Sequence, residues 1–86
     1  MPYIKLEDKI RLDNIILDEL SMHIKTVGEL TYCIYKLMLE YKGNEKPSYA
    51  VLSESIVAAE CAKMEFYRRW IAPYEEVKIQ ENGDVI

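Results

Sequence analysis

The sequence has few residues that interrupt or cross-link a chain: three glycines, three prolines, two cysteines and one histidine among 86 residues. Cys33 and Cys61 are too few for a disulfide framework and show no zinc-ligand spacing, so we expect reduced thiols. His23 has no partner at catalytic or metal-binding spacing, and no glycine-rich phosphate loop is present. These absences argue against an enzyme, and we expect neither a cofactor nor a metal.

Positive charge is also scarce, because the formal net charge is −4. Nucleic-acid binding needs a basic face that displaces counterions, so this charge disfavours it. No apolar run approaches membrane-spanning length, and residues 1–12 alternate charged and apolar positions, unlike a signal peptide. We therefore expect a cytoplasmic protein that binds neither nucleic acid nor membranes.

The length predicts one helical domain over residues 1–86. A chain of this size buries only about 60–65% of the surface that its unfolded form exposes. Half of the residues are nevertheless hydrophobic. Since a second subunit can cover apolar surface that one small chain cannot, the sequence favours a homo-oligomer.

Helical spacing of apolar residues and capping residues together predict an all-α fold. A first helix is expected after Asp13, an N-cap residue type, and residues 3–12 are compatible with a short extra turn before it. Thr26 and Glu29 have capping-box spacing and predict a second helix over about 27–41. Ser48 is expected to cap a third helix. We see no useful strand alternation, so the prediction is a small three-helix domain.

Pro73 lies in the continuation of the third helix. Because proline lacks an N–H and disfavours helix at the preceding residue, it should kink or restart the helix there. Asn82 and Gly83 form a suitable helix end. The complete prediction is a three-helix domain with a Pro-kinked C-terminal helical extension.

The closing stretch, residues 65–86, holds the candidate binding residues. Tyr67 and Tyr74 are seven apart, which places them on one face of a continuous helix, and tyrosine suits interfaces and ring stacking. Arg68 and Arg69 diverge by about 100° around a helix, so we expect them to serve one site only across a subunit interface, unless one of them is structural. Their guanidinium groups fit phosphate or carboxylate, and salt bridges to the many acidic residues are an equally good explanation.

The sequence resembles a family of short, uncharacterised proteins of bacteria and their phages. Members open on Met-Pro-Tyr-Ile and close on a string of the form EFYRR, APYE, K and ENGDV. Thr31 departs from the family pattern, in which Asn is commoner. The matching residues are Met1 to Ile4, Gly28 to Tyr32, Glu65 to Arg69, Ala72 to Glu75, Lys78, and Glu81 to Val85.

The resemblance implies a non-enzymatic small-molecule binder. Small acidic phage proteins of this kind include sponges that sequester nucleotide immune signals such as cyclic ADP-ribose, and the expected partner is a phosphorylated, nucleotide-like ligand held between subunits. Arg68 or Arg69 would hold phosphate, with help from Lys78. Tyr67 and Tyr74 would stack on a base or wall the pocket. Asn82 and Asp84 would hydrogen-bond ribose hydroxyls or a base edge. The predicted site is Tyr67, Arg68, Arg69, Tyr74, Lys78, Asn82 and Asp84.

The alternative is a protein–protein interaction module. In that interpretation the C-terminal tail docks on a neighbouring subunit or on a host protein. Arg68 and Arg69 would then form salt bridges, and the tyrosines would anchor the interface.

Overall fold

A computed structural model describes residues 2–44 and 46–86, and at position 16 it describes the backbone alone. Met1 of the opening motif therefore lies outside the described residues. Regular structure in these ranges is helical throughout, which confirms the all-α prediction. The elements are α1 (Leu6–Leu12), a first π-helical turn (Asp13–Leu17), α2 (Asp18–His23), α3 (Val27–Lys42), α4 (Tyr49–Phe66), a second π-helical turn (Tyr67–Ile71) and α5 (Ala72–Asn82).

The two predicted caps start α3 and α4. The Thr26 hydroxyl accepts a hydrogen bond from the Glu29 N–H at 3.1 Å, and the Glu29 carboxylate accepts one from the Lys25 N–H at 2.7 Å. The Ser48 hydroxyl likewise accepts from the Val51 N–H at 3.2 Å. Each bond satisfies an N–H group that the first turn of a helix leaves without an intrahelical partner.

The N-terminal third differs from the prediction. Helix begins at Leu6, not after Asp13, and the Asp13 N–H bonds to the carbonyls of Lys9 and Ile10, so this residue ends α1. The backbone then leaves the helical region at Ile15, where φ is −77° and ψ is −123°. The range 3–12, where a short extra turn was expected, contains the seven-residue helix α1. The helix expected after Asp13 is broken at Ile15 before α2, because Asp13 closes one helix where we expected it to open another.

The chain stays helical through Pro73. In the second π-helical turn the Ala72 N–H donates to the Tyr67 carbonyl, five residues earlier, and Ala72 keeps helical angles (φ −59°, ψ −46°). A wider turn gives the proline ring more room beside the carbonyl of Arg69, which an α-helix would press against it. The helical extension is confirmed and ends at Gly83, whose φ is +87°; a kink at Pro73 stays a prediction.

Helices α3 and α4 form an antiparallel hairpin. The Ser55 hydroxyl donates to the Met38 carbonyl at 3.3 Å, and the Tyr41 hydroxyl donates to the Glu54 carboxylate at 2.5 Å. The bond to Glu54 raises the pKa of Tyr41. Beyond the hairpin, α4, the second π-helical turn and α5 continue as one rod in a molecule whose longest dimension is 51 Å.

One protomer has no apolar core in the part of the chain that the structure describes. Ser55, at 8% relative exposure, is the buried residue there, and no apolar side chain in these ranges is buried. The apolar faces that the helical spacing predicts are formed, but packing within one chain leaves them open to solvent.

Candidate functional site

Two arginines and a tyrosine converge on the carboxylate of Glu65. One oxygen accepts hydrogen bonds from Arg68 Nη2 at 2.5 Å and from Arg69 Nε at 2.7 Å. The other accepts from the hydroxyl of Tyr3, and Arg68 Nη2 also donates to that hydroxyl at 3.2 Å. We call Tyr3, Glu65, Arg68 and Arg69 the arginine cluster.

The cluster forms because of helical spacing and one long-range contact. Glu65 lies three and four residues before the arginines, and side chains at these spacings are neighbours on a helix. Arg68 and Arg69 therefore serve one site within a single chain, although their positions diverge around the helix. Tyr3 comes from the N-terminal segment that precedes α1, 62 residues away in sequence. That contact joins the N-terminal segment to the last turn of α4.

The arginine cluster holds two positive charges and one negative charge. Hydrogen bonds from Tyr3, Arg69 and Arg68, in that order, lower the pKa of Glu65 to about 2. The hydrogen bond that each arginine donates to Glu65 raises the pKa of that arginine. The carboxylate side chain is only 17% exposed, whereas the side chains of Arg68 and Arg69 are 64% and 58% exposed. One carboxylate thus neutralises one of two charges, and the remaining positive charge faces solvent.

The lowered pKa of Glu65 predicts a pH effect. Because its folded pKa of about 2 lies below the usual 4.5, its contribution to stability is complete above about pH 4.5 and is lost as the pH falls towards 2. Glu65→Gln should therefore flatten the pH dependence of the free energy of unfolding in that window, measured by chemical denaturation. Glu76→Gln is the matched control, and equal slopes in the two variants would contradict the expectation.

A shallow groove of about 250 Å³ adjoins the cluster; we call it the arm groove. It is lined by Pro2, Ala62, Glu65, Phe66, Arg69 and Trp70. Phe66 is 60% exposed and Trp70 is 68% exposed. Arg69 belongs to both the cluster and the groove, so a guanidinium lies beside two accessible aromatic rings.

The two tyrosines predicted to share a face are engaged separately. The Tyr67 hydroxyl donates to the carboxylate of Glu75, eight residues later, and this bond raises the pKa of Tyr67. The Lys78 ammonium lies 5.5 Å from the centroid of the Tyr74 ring. The π-helical turn explains the first pairing, because its extra residue shifts the helix face from position 74 towards position 75.

The remaining predicted residues line a second pocket, the tail pocket, of about 450 Å³. Lys78, Asn82 and Asp84 lie there, together with Glu75 and Glu76. Asn82 stands thirteen residues beyond Arg69, or about 20 Å along a helix. The seven predicted residues therefore do not form one site in one chain: the arginines belong to the cluster, and Lys78, Asn82 and Asp84 belong to the tail pocket.

The described residues contain no group of three or more His, Cys, Asp and Glu side chains arranged to hold a metal ion. Cys33 and Cys61 are half-buried and carry free thiols. Within residues 2–44 and 46–86, we find no helix that combines the length and the apolar character needed to cross a membrane.

Comparison with known proteins identifies the family. The sequence pattern of one family, described as Domain of unknown function (DUF6899), matches residues 1–85. The chain belongs to this family. No curated protein and no solved structure matches it. The DUF6899 match includes Tyr3 and Glu65 as well as Arg68 and Arg69, so the whole arginine cluster lies inside the family domain.

Our sequence-based site for this DUF6899 chain omitted four residues that the structure places at the arginines: Tyr3, Glu65, Phe66 and Trp70. Glu65 could have been found, since it precedes the arginines by three and four residues. Phe66 and Trp70 are four residues apart, a spacing typical of an apolar packing face, so the sequence gives no signal for their exposure. Nothing in the sequence near Tyr3 indicates its contact with Glu65.

Proposed function

We propose that this protein is a non-enzymatic binder of a phosphorylated, ring-containing small molecule, held at the arginine cluster. The observation that carries the proposal is the convergence of two exposed guanidinium groups on one carboxylate. Glu65 holds both groups in place before any ligand arrives, which lowers the cost of ordering them on binding.

Arg69 is the residue best placed to contact phosphate. Among the described residues, Arg69 donates a hydrogen bond through Nε to the carboxylate of Glu65. A contact through Nε leaves the edge formed by the two terminal nitrogens, and such an edge can donate two parallel hydrogen bonds to a phosphate group. Arg68 uses Nη2 towards Glu65 and Tyr3, so it contributes charge and holds Tyr3 at the site.

The arm groove supplies a surface for the ring of the ligand. An aromatic base can stack on exposed Trp70 or Phe66 while its phosphate lies against Arg69. In this proposal these two rings take the stacking role that the sequence assigned to Tyr67 and Tyr74. Lys78, Asn82 and Asp84 could contribute only from a neighbouring copy, across a subunit interface.

The biological role that we attach to this binding is sequestration of a nucleotide immune signal, cyclic ADP-ribose or a related molecule. This part of the proposal rests on the resemblance to small phage proteins. A sponge needs affinity and abundance but no chemical step, which agrees with the lack of a general base beside the arginines other than the strongly acidic Glu65.

A thermal-shift screen against linear and cyclic nucleotides tests the proposal. We expect one nucleotide class to raise the melting temperature by several degrees and to quench the fluorescence of Trp70, the single tryptophan. Arg69→Ala should weaken that binding about 10- to 100-fold, as expected for a lost hydrogen bond to a charged group. Arg11→Ala, which removes the remaining arginine, is the matched control.

Two results would reject the small-molecule proposal. The first is a panel without any shift or quenching, and the second is equal loss of binding in Arg69→Ala and Arg11→Ala. Formation of a product from the bound nucleotide would replace the binder with an enzyme.

A protein–protein interaction module is the second candidate, and the large exposed apolar surface favours it. Here Arg68 and Arg69 contact a carboxylate of the partner, and Trp70 is an interface anchor, as tryptophan and arginine often are. In this case Arg69→Ala should weaken an assembly in sedimentation experiments while no nucleotide changes the melting temperature.

A further inference from the structure

The protomer exposes far more surface than a compact protein of its mass. Its accessible surface is 7991 Å². A folded monomer of 10.1 kDa exposes about 5,300 Å² by the usual scaling of surface with mass. The excess is therefore about 2,700 Å² per chain, while a standard interface covers about 800 Å² on each partner. An excess of this size is typical of obligate assemblies.

Exposed apolar side chains occur on every helix, and those between α3 and α4 line a hollow of about 390 Å³, which we call the hairpin groove. Apolar side chains of α3 form one side of the groove. Two alanines of α4, whose side chains are small, form its base. Its polar lining is already engaged, because Tyr41 is bonded to Glu54 and Ser55 to the Met38 carbonyl. The lining residues are Ile34, Leu37, Met38, Tyr41, Glu54, Ser55, Ala58 and Ala59.

We infer that the hairpin groove is the self-association surface, and that the α3–α4 hairpin of a second copy packs against it. The occupant must be present wherever the chain is folded, since no apolar side chain among the described residues is buried in one copy. A second copy of the same chain meets that condition, because it is made wherever the first copy is made. The small side chains of Ala58 and Ala59 leave room for bulky residues of the partner's α3, and a two-fold axis makes the arrangement reciprocal.

This inference is independent of the proposed ligand. The groove lies on the hairpin, and its lining residues are distinct from those of the arginine cluster and the arm groove. Assembly is therefore expected with or without a nucleotide. Failure of nucleotide binding would not contradict self-association through the hairpin groove, and the reverse also holds.

The test compares Ala59→Glu with Ala50→Glu by sedimentation velocity over a range of protein concentration. Both substitutions add one carboxylate to α4, but Ala59 lines the groove and Ala50 is an exposed residue outside it. We expect Ala59→Glu to raise the dissociation constant of the assembly at least 100-fold and Ala50→Glu to leave it within threefold. An Ala59→Glu assembly as tight as the wild type overturns the inference.

A second measurement uses the wild-type sequence, in case Ala59→Glu does not fold. Photo-leucine is incorporated into a mixture of ¹⁴N- and ¹⁵N-labelled protein, and mixed-isotope cross-links identify contacts between copies. We expect such cross-links to join the α3 and α4 peptides of different copies, through Leu37. Cross-links confined to other segments, or a wild-type chain that sediments as a folded monomer, overturn the inference and leave the groove to a different partner.

Discussion

Dilution is expected to unfold this protein. If the apolar faces are covered only by a second copy, dissociation and unfolding are one reaction, and stability depends on protein concentration. A tenfold dilution removes about 1.4 kcal/mol from a dimer. For a unit of two 86-residue chains this lowers the melting temperature by about 3–6 °C.

The measurement is circular dichroism at 222 nm during heating, at protein concentrations that span three orders of magnitude. The helical signal and the sedimentation coefficient should fall together as protein is diluted. A melting temperature that stays constant over this range would show that one chain folds alone, in contradiction to the exposed surface that we describe.

The second large effect is expected at Ser55, where α3 and α4 touch. Ser55→Leu adds bulk at a position that is 8% exposed and removes the hydrogen bond to the Met38 carbonyl at 3.3 Å. Overpacking of this kind typically costs about 1–3 kcal/mol, so the hairpin should be forced apart and the melting temperature should fall by several degrees.

Ser55→Ala is the matched control at the same position. It removes the hydroxyl without adding volume, so we expect a loss of about 1 kcal/mol, the usual size for one hydrogen bond. Chemical denaturation of both variants separates the two effects. A Ser55→Leu variant that is as stable as Ser55→Ala would mean that the helices tolerate the added volume and that the close contact is not maintained in solution.

Local signals predicted local structure well. Thr26 and Ser48 were identified as caps because a hydroxyl before a helix satisfies free N–H groups, and the structure shows both bonds. Gly83 was identified as a helix end because a positive φ favours glycine. Asp13 shows the limit of this reasoning, since its side chain is typical of a helix start, whereas its backbone is helical (φ −64°, ψ −31°) and its N–H bonds to carbonyls of α1.

Long-range contacts and departures from α geometry could not be predicted. Tyr3 reaches Glu65 across 62 residues, and no periodicity within either segment specifies that distance. The π-helical turn before Pro73 changes which residues share a face, so Tyr67 meets Glu75. Among the candidate site residues, the chemistry of Arg68 and Arg69 and their spacing from Glu65 were readable from the sequence, whereas the contact of Tyr3 with Glu65 required the fold.

The same π-helical turn decides where the chain can change length. Elsewhere in α4 or α5, inserting or deleting a residue rotates everything beyond it by about 100° and separates faces that now align. Residues 67–71 already hold one residue more than an α-helical turn needs. Loss of one residue there would restore the α-helical pattern of backbone hydrogen bonds and would keep α5 in its present orientation. Loss of a residue along the rod is therefore expected to be tolerated best in this five-residue window, which contains both arginines.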